Sequence, residues 1–161
     1  MSEFLMAINR GKQWEEKVKE DLSKLMDVSL ERVPDQVSGY KTTSQNPCDF
    51  YCYIYPHFYY IESKSTKGNT FNVKFPQYER LLIRSGRKGV RTGVLLWWID
   101  HQRVAYVPIK TFEKLIKDGK KSVNIKMLED DKYRIIEIPS VTKRVLPTCD
   151  YNILLDLQEG D

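Results

Sequence analysis

The stretch that decides the fold is CDFYCYIYPHFYYIESKS, residues 48–65. Two runs rich in aromatic and β-branched residues, 48–55 and 58–65, lie on either side of Pro56 and His57. Such residues favour strands, and a proline between two short strands is typical of a turn. The stretch therefore predicts a β-hairpin.

This hairpin brings two carboxylates together. If the turn is centred on Tyr55 and Pro56, Asp49 lies directly opposite Glu62, and both side chains point to one face with Cβ atoms about 4.5–5.5 Å apart. Facing carboxylates repel each other unless one takes a proton or a cation lies between them. A site with a small number of hard oxygen ligands and room for water suits Mg²⁺, or Mn²⁺ in its place, rather than zinc. Lys64 follows one pleat beyond Glu62, where an ammonium group can position an attacking water or stabilise charge on a phosphate.

The first helix is predicted over residues 9–26, because apolar residues recur there at the spacing of one buried stripe. The stripe consists of Trp14, Val18, Leu22 and Leu25. At roughly 100° per residue, Glu15 lies about 65° from the centre of the stripe, and Glu16 lies almost opposite it. Glu15 is therefore the better placed of the two acids to reach the edge of a sheet.

The rest of the chain alternates short strands and helices. The apolar run 94–99 predicts a strand covered on both faces, and residues 103–108 predict its antiparallel partner at the centre of the sheet. The other predictions are a strand at 29–33, a loop at 34–47, turns at 66–72 and 85–90, helices at 75–84 and 111–117, a strand at 133–138, and a short helix or strand at 151–157. No repeat or low-complexity linker divides the chain, so residues 1–161 are predicted to form a single domain.

Composition narrows the class of protein. The chain has 161 residues, of which 41% are hydrophobic and 30% charged, as expected of a globular domain. A net charge of +4 suits a nucleic-acid partner without requiring one. The three cysteines, at no zinc-ligand or disulfide-framework spacing, are predicted to be free thiols. No apolar run approaches the roughly 18 residues of a membrane span, and the first residues lack a signal-peptide pattern, so a cytoplasmic protein without a membrane partner is expected.

Asp49 followed by Glu62-Ser63-Lys64 resembles the active-site motif of the restriction-endonuclease-like nuclease superfamily, written PD-(D/E)xK. Further stretches extend the likeness from about residue 8 to residue 157. They are Asn9-Arg10-Gly11, Trp14-Glu15, Cys48-Asp49-Phe50, the strand 60–65, Phe71, Gln77 and Gly119-Lys120-Lys121-Ser122. Together they resemble the RecU-type Holliday-junction resolvases, in particular short, phage-like members.

This resemblance implies an α/β fold with a restriction-endonuclease-like core, in which helices flank a mixed, mostly antiparallel central sheet. It implies a homodimeric, Mg²⁺-dependent endonuclease that resolves four-way DNA junctions by two symmetric nicks. The protein would act in the cytoplasm, either in the bacterial cytosol or in a phage-infected cell.

The resemblance also assigns roles to individual residues. Asp49, Glu62 and the backbone carbonyl of Ser63 would bind the metal, and Lys64 would be the catalytic lysine. The family pattern of glycine, three residues, then glutamate coincides with Glu15, in agreement with the helix geometry. Gln77 matches a family glutamine near the metal. The implied catalytic set is Glu15, Asp49, Glu62, Lys64 and Gln77.

Basic residues are the candidates for DNA contact, because phosphates supply most of the affinity of such a protein. The predicted set is Arg10, Lys12, Lys41, Lys67, Arg80, Arg84, Arg87, Lys88 and Arg91. Backbone contacts are expected rather than base readout, since a resolvase recognises branched shape.

Other interpretations stay open on the residues alone. Asp49, Glu62 and Lys64 can form a surface charge cluster, and basic helix residues can simply be solvated. The longer RecU proteins carry a stalk thought to enter the junction, and only about fifteen residues separate Pro34 from Asp49 here. The alternatives are therefore a nicking or repair nuclease without junction preference, a catalytically silent DNA-structure-binding protein, and a protein-interaction domain.

Overall fold

A six-stranded sheet lies at the centre of the fold. The computed structural model describes residues 3–34 and 46–157. The described residues form ten strands in three sheets. They are β1 (Ser29–Arg32), β2 (Phe50–Ile54), β3 (His57–Thr66), β4 (Thr70–Asn72), β5 (Val90–Trp98), β6 (Arg103–Pro108), β7 (Ser122–Asn124), β8 (Ile136–Ile138), β9 (Ser140–Thr142) and β10 (Pro147–Cys149). The central sheet has the order β1-β2-β3-β5-β6-β8, and β4 pairs with β7 and β9 with β10 in two small sheets.

Helices cover both faces of the central sheet. They are α1 (Glu3–Leu22), α2 (Tyr78–Arg84) and α3 (Ile109–Lys117), with 3-10 helices at Ile125–Glu129, Asp131–Tyr133 and Tyr151–Asp156. α1 packs on one face, and α2 and α3 pack on the other. Among the strands of the described ranges, only β3 and β5 are parallel neighbours, so the predicted class, a mixed and mostly antiparallel sheet flanked by helices, is confirmed. None of the helices in the described ranges is long and apolar enough to cross a membrane.

Strand β5 supplies both hydrophobic cores, as its continuous apolar run predicts. Alternate residues of a strand point to opposite faces, so Leu95 and Trp97 enter the core beneath α1, and Trp98 enters the other core. Trp14 of α1 fixes the helix to this strand. Its indole N–H donates to the Leu95 carbonyl at 3.3 Å, and its ring lies 5.4 Å from that of Trp97. Glu15 is therefore held beside the sheet.

The hairpin has the predicted register. Phe50 pairs with Ile61 and Ile54 with His57 across β2 and β3. The Asp49 N–H extends the ladder by donating to the Ile61 carbonyl at 3.1 Å. Since paired residue numbers have a constant sum in an antiparallel hairpin, Asp49 lies opposite Glu62 as predicted.

Several boundaries differ from the predictions for local reasons. α1 ends at Leu22, although Leu25 just beyond it is buried as predicted. β5 begins at Val90, ahead of its apolar run, because backbone pairing with β3 extends over residues with polar side chains. The predicted strand 133–138 is reduced to β8, because Asp130 caps the 3-10 helix Asp131–Tyr133 and Arg134 has a positive φ of 47°.

Other elements were missed or shifted. The predicted turn 66–72 contains β4, whose ladder partner β7 lies about fifty residues later, beyond what local patterns reveal. The predicted helix 75–84 begins at Tyr78, after the N-cap residue Gln77. The final segment is a 3-10 helix, Tyr151–Asp156, whose cap Asp150 accepts from the Asn152 N–H at 3.0 Å. Most of the predicted loop 34–47, including Lys41, lies outside the described residues.

A side chain at Gly93 is predicted to destabilise the folded protein. A Cβ atom at this position would lie 2.7 Å from the Tyr106 ring and from the Val107 carbonyl oxygen. We expect Gly93→Ala to lower the free energy of unfolding by about 1–3 kcal/mol through overpacking, measured by urea denaturation. The control is Gly11→Ala in α1, where an added Cβ atom would have no neighbouring atom within 4 Å. This substitution should stabilise the protein by roughly 0.5–1 kcal/mol. Equal effects of the two substitutions would contradict this account of the core.

Candidate active site

Asp49 is fixed at the point where β1, β2 and β3 meet. Its carbonyl accepts from the Val33 N–H at 2.7 Å, and its own N–H donates to Ile61. The side chain is held as well, because Oδ2 accepts from the Ser63 N–H at 2.9 Å and from the Ser63 hydroxyl at 2.7 Å. Both the backbone and one carboxylate oxygen of Asp49 are thus positioned before any ligand binds.

Glu62 is the buried partner in this arrangement. It is only 3% exposed, and its Oε2 atom has no hydrogen-bond partner among the described residues. Burial raises the pKa of Glu62 well above its ordinary range, and the hydrogen bond with Asp49 and the charge of Asp49 add to the increase. The nearby Lys64 lowers this pKa and Glu15 raises it. Without a cation, Glu62 therefore favours its protonated form at neutral pH, because Lys64 offsets only part of the cost of burying its charge beside Asp49.

The donor set fits a hard divalent cation. Two facing carboxylates, one with an orphaned buried oxygen, are stabilised when a cation lies between them. The N–H and C=O of an extended residue point toward the same neighbouring strand, and the Ser63 N–H points toward Asp49. The Ser63 carbonyl is therefore directed to the same side. No cluster of three or more His, Cys, Asp or Glu residues occurs in the part of the chain that the structure describes, so backbone and water oxygens would have to complete the ligand set.

Lys64 lies on the same face of β3 as Glu62, two residues farther along the strand. Its positive charge acts on the Glu62 carboxyl, whose pKa it lowers. The structure thus brings Asp49, Glu62, Ser63 and Lys64 together at one end of the hairpin.

Glu15 lies near this group but has a partner of its own. Its Oε1 accepts from the Arg32 Nε at 2.6 Å, and the same oxygen lies 2.6 Å from the Arg32 Nη2. Glu15 nevertheless acts electrostatically on Glu62. Glu16 is exposed, as the helix geometry predicts. Of the two acids, Glu15 therefore faces the site, and Arg32 balances its charge.

Gln77 lies at the N-cap of α2, and its side-chain Oε1 is buried without a hydrogen-bond partner among the residues described. Because α2 connects the parallel strands β3 and β5, it runs antiparallel to them. Arg84 at its other end lies 5.7 Å from the centre of the Tyr60 ring. Gln77, at the opposite end of α2 from Arg84, therefore lies toward the C-terminal end of β3.

No protein-family model matches this chain, and no curated protein matches it. Among solved structures, the chain is similar to Hjc, a Holliday junction resolvase from the archaeal hyperthermophile Archaeoglobus fulgidus. The two sequences are 20% identical, the match covers 63% of this chain and 78% of the other, and the TM-score is 0.49. The function proposed below rests on the side chains around Asp49 and Glu62 rather than on this likeness.

The predicted DNA-binding residues occupy different environments. Lys12, Lys67, Arg87 and Lys88 are exposed, whereas Arg10, Arg80 and Arg84 are half-buried. Arg10 donates to the Gln13 side chain at 3.3 Å, and Arg84 donates to the Arg80 carbonyl at 2.7 Å. The exposed members retain the accessibility that a phosphate contact requires.

The environment of Arg91 does not suit the predicted DNA contact. It is 8% exposed, and its guanidinium donates to the Tyr59 hydroxyl at 3.0 Å and to the Leu157 carbonyl at 3.2 Å. Because β5 begins at Val90, Arg91 is part of the sheet and does not belong to the exposed basic run around α2. We therefore remove Arg91 from the DNA-binding set.

The thiols behave as predicted from their spacing. Cys48, Cys52 and Cys149 are all buried and free. Burial, together with the charge of Glu62, raises the pKa of the Cys48 thiol to about 12. A thiol of this kind is protonated at neutral pH, so Cys48 packs beside the site without acting as a nucleophile.

Two contacts of the site were missed at the level of sequence. The Ser63 hydroxyl was overlooked because the resemblance assigns only its backbone carbonyl. Arg32 was overlooked because its partner, Glu15, lies seventeen residues away on another element. A basic residue ending an edge strand beside an acidic helix is the signal that could have suggested the Glu15–Arg32 pair.

Removing the Glu62 charge should change how stability depends on pH. The pKa of Glu62 is higher in the folded protein than the ordinary value of 4.5, so without metal the folded state loses stability as pH rises above about 4.5. The loss cannot exceed about 1.4 kcal/mol per pH unit. We expect Glu62→Gln to be increasingly more stable than the wild type from pH 5 to pH 8, measured by urea denaturation in EDTA.

The matched control is Glu16→Gln, since Glu16 is an exposed acid of α1. It should follow the wild-type pH dependence. Parallel curves for Glu62→Gln and the wild type would show that Glu62 carries no unfavourable buried charge.

Proposed function

We propose that this chain is a Mg²⁺-dependent, structure-selective DNA endonuclease that resolves four-way junctions, of the RecU type within the restriction-endonuclease-like superfamily. The observation that carries the proposal is the pairing of Asp49 with the buried Glu62, whose Oε2 atom lacks a hydrogen-bond partner in the described part of the chain. Lys64 beside this pair supplies the third member of the motif. A surface charge cluster would not bury Glu62 to 3% exposure.

Each residue has a distinct role in the proposed hydrolysis. Asp49, Glu62 and the Ser63 carbonyl would hold the metal, with Mn²⁺ as a substitute for Mg²⁺. A divalent ion of this kind stabilises charge on a phosphate and lowers the pKa of a nearby water. The Ser63 N–H and hydroxyl orient Asp49 through Oδ2. The Lys64 ammonium offsets negative charge that develops on the phosphate oxygens.

The bond changes are those of phosphodiester hydrolysis. A water oxygen forms a bond to phosphorus in line with the departing ester oxygen and gives up a proton to solvent. The ester bond breaks, and the departing oxygen takes a proton to become a hydroxyl. In keeping with the resemblance, the proposed product carries a 5′-phosphate, which leaves a 3′-hydroxyl on the other fragment. Glu15, next to Arg32, would orient the water or a second metal, and Gln77 would act near the same centre.

Paired nicks require two active sites. One copy of the chain contains one Asp49–Glu62 centre, so we propose a homodimer whose two-fold symmetry matches that of the junction. Phosphate contacts by the exposed basic residues would supply most of the affinity. The proposed location is the cytoplasm, where such DNA is present.

Asp49→Asn is expected to abolish cleavage while the protein still folds and binds DNA. The substitution keeps an oxygen for Ser63 to donate to but removes the charge that would hold the metal, and we expect a loss of at least about 1,000-fold in rate. The measurement is cleavage of an end-labelled four-way junction and a matched linear duplex in Mg²⁺. The control Asp100→Asn changes an exposed turn residue and should cut like the wild type.

Paired nicks confined to the junction would support the resolvase. Equal cutting of both substrates would retain the nuclease and exclude junction selectivity. Tight junction binding without cleavage by the wild type would contradict the enzyme and leave a DNA-structure-binding protein.

A further inference from the structure

A basic pocket lies between the end of α2 and the start of α3. Its volume is about 480 Å³, and it is lined by the loop of residues 85–89, the beginning of β5 and the first residues of α3. Thr92 of β5 and Lys110 of α3 are among the lining residues. None of the proposed catalytic residues lines this pocket.

Four cationic residues line the pocket, and three of them, Arg87, Lys88 and Lys110, are exposed. The fourth, Arg91, is buried, and its guanidinium is already bonded to Tyr59 and Leu157. Arg87 and Lys88 are exposed between Gly86 and Gly89, whose φ values of 79° and 78° favour glycine. Hydrogen bonds anchor the loop, because the Gly89 carbonyl accepts from the Phe58 N–H at 2.7 Å and the Arg87 carbonyl from the Val90 N–H at 3.0 Å. The pair of cations is thus presented on a fixed backbone.

The third cation, Lys110, is exposed in the first turn of α3. Its Nζ lies 3.6 Å from Glu113 Oε1, which also lies 3.8 Å from the Lys117 Nζ. One carboxylate is therefore shared between two ammonium groups, and the positive charge of Lys110 is only partly offset.

The N-terminus of α3 adds to the positive potential. The helix has nine residues, its N-cap is Pro108 without a side-chain cap hydrogen bond, and its first turn contains no acidic residue. The first N–H groups of a helix have no intrahelical partner and favour a negative charge. Phosphate groups commonly bind at such ends.

Thr92 is the independent sign that a ligand binds here. It is 4% exposed, it lines the pocket, and its Oγ1 has no hydrogen-bond partner within the described residues. A buried hydroxyl without a partner is costly in a folded protein. A phosphate oxygen in the pocket would accept the hydrogen bond that this hydroxyl can donate.

We infer that this pocket binds a phosphate group of the DNA backbone, through Arg87, Lys88, Lys110, Thr92 and the first N–H groups of α3. The inference rests on the proposed nuclease function for its choice of DNA as the source of the phosphate. Thr92 pairs with Tyr60, and Glu62 lies two residues farther along β3 on the same face. Strand spacing therefore separates the Cα atoms of Thr92 and Glu62 by about 8 Å, so the bound phosphate would flank the cleavage centre.

The test measures binding of a labelled four-way junction by fluorescence anisotropy in EDTA, over a series of salt concentrations. The variants are Thr92→Val, which removes the hydroxyl with little change in shape, Lys110→Ala, and the double variant Arg87→Ala/Lys88→Ala. The control is Lys143→Ala, an exposed cation in the β9–β10 turn. Chemical shifts of the Gly86, Gly89 and Lys110 amides during titration with inorganic phosphate provide a second readout.

We expect Thr92→Val to weaken junction binding about tenfold. Lys110→Ala and the double variant should each lower the slope of log affinity against log salt by about 1 to 2. Inorganic phosphate should shift the three amides in the wild type and less in Thr92→Val. The control should match the wild type throughout.

Three results would overturn the inference, and each differs from the others. Pocket variants that bind the junction like the Lys143→Ala control, while the wild type still binds and cuts, would exclude this pocket and leave the proposed nuclease intact. Amide shifts with phosphate but unchanged DNA affinity would assign the pocket to a free phosphate compound. A wild-type protein that binds no DNA would overturn this inference and the proposed function together.

Discussion

The unfavourable burial of Glu62 against Asp49 is the constraint on which the site depends. The register of the β2–β3 hairpin sets this pairing, and a slip of one residue would turn Glu62 to the opposite face. Proteins seldom bury a carboxylate whose oxygen has no partner unless something compensates it. The Ser63 donors to Asp49 keep the pair in place, so the scaffold maintains a position in which a negative charge on Glu62 is costly.

The surrounding fold explains how this cost is sustained. β5 lies between two cores and is joined to β3 along nine residue pairs, so the strand that carries Glu62 and Lys64 is held firmly. Trp14 fixes α1 to the opposite face of β5. Because Glu15 follows Trp14 directly, the same contact brings a third carboxylate toward the site, where Arg32 balances it. The contacts that pack β3, β5 and α1 together therefore also determine where the charged side chains of the site lie.

The sequence predicts those parts of the molecule that depend on local pattern. The hairpin register follows from the position of the turn, and the buried stripe of α1 and the orientation of Glu15 follow from helical periodicity. The structure reproduces all three. Features that depend on distant residues were not predictable. Arg91 was assigned to the basic run around α2, but pairing with β3 places it in the sheet beside Tyr59. The orphaned hydroxyl of Thr92 is visible only once α2 and α3 are placed around it.

The most direct test of the central claim is to locate Mn²⁺ in crystals of the protein by anomalous diffraction. The account predicts an anomalous peak between the carboxylates of Asp49 and Glu62, within coordination distance of the Ser63 carbonyl, in the wild type. The peak should be absent from Asp49→Asn crystals grown under the same conditions. A wild-type site left empty at saturating Mn²⁺, or a peak bound elsewhere with Glu62 unligated, would contradict the claim that this buried pair exists to hold a metal.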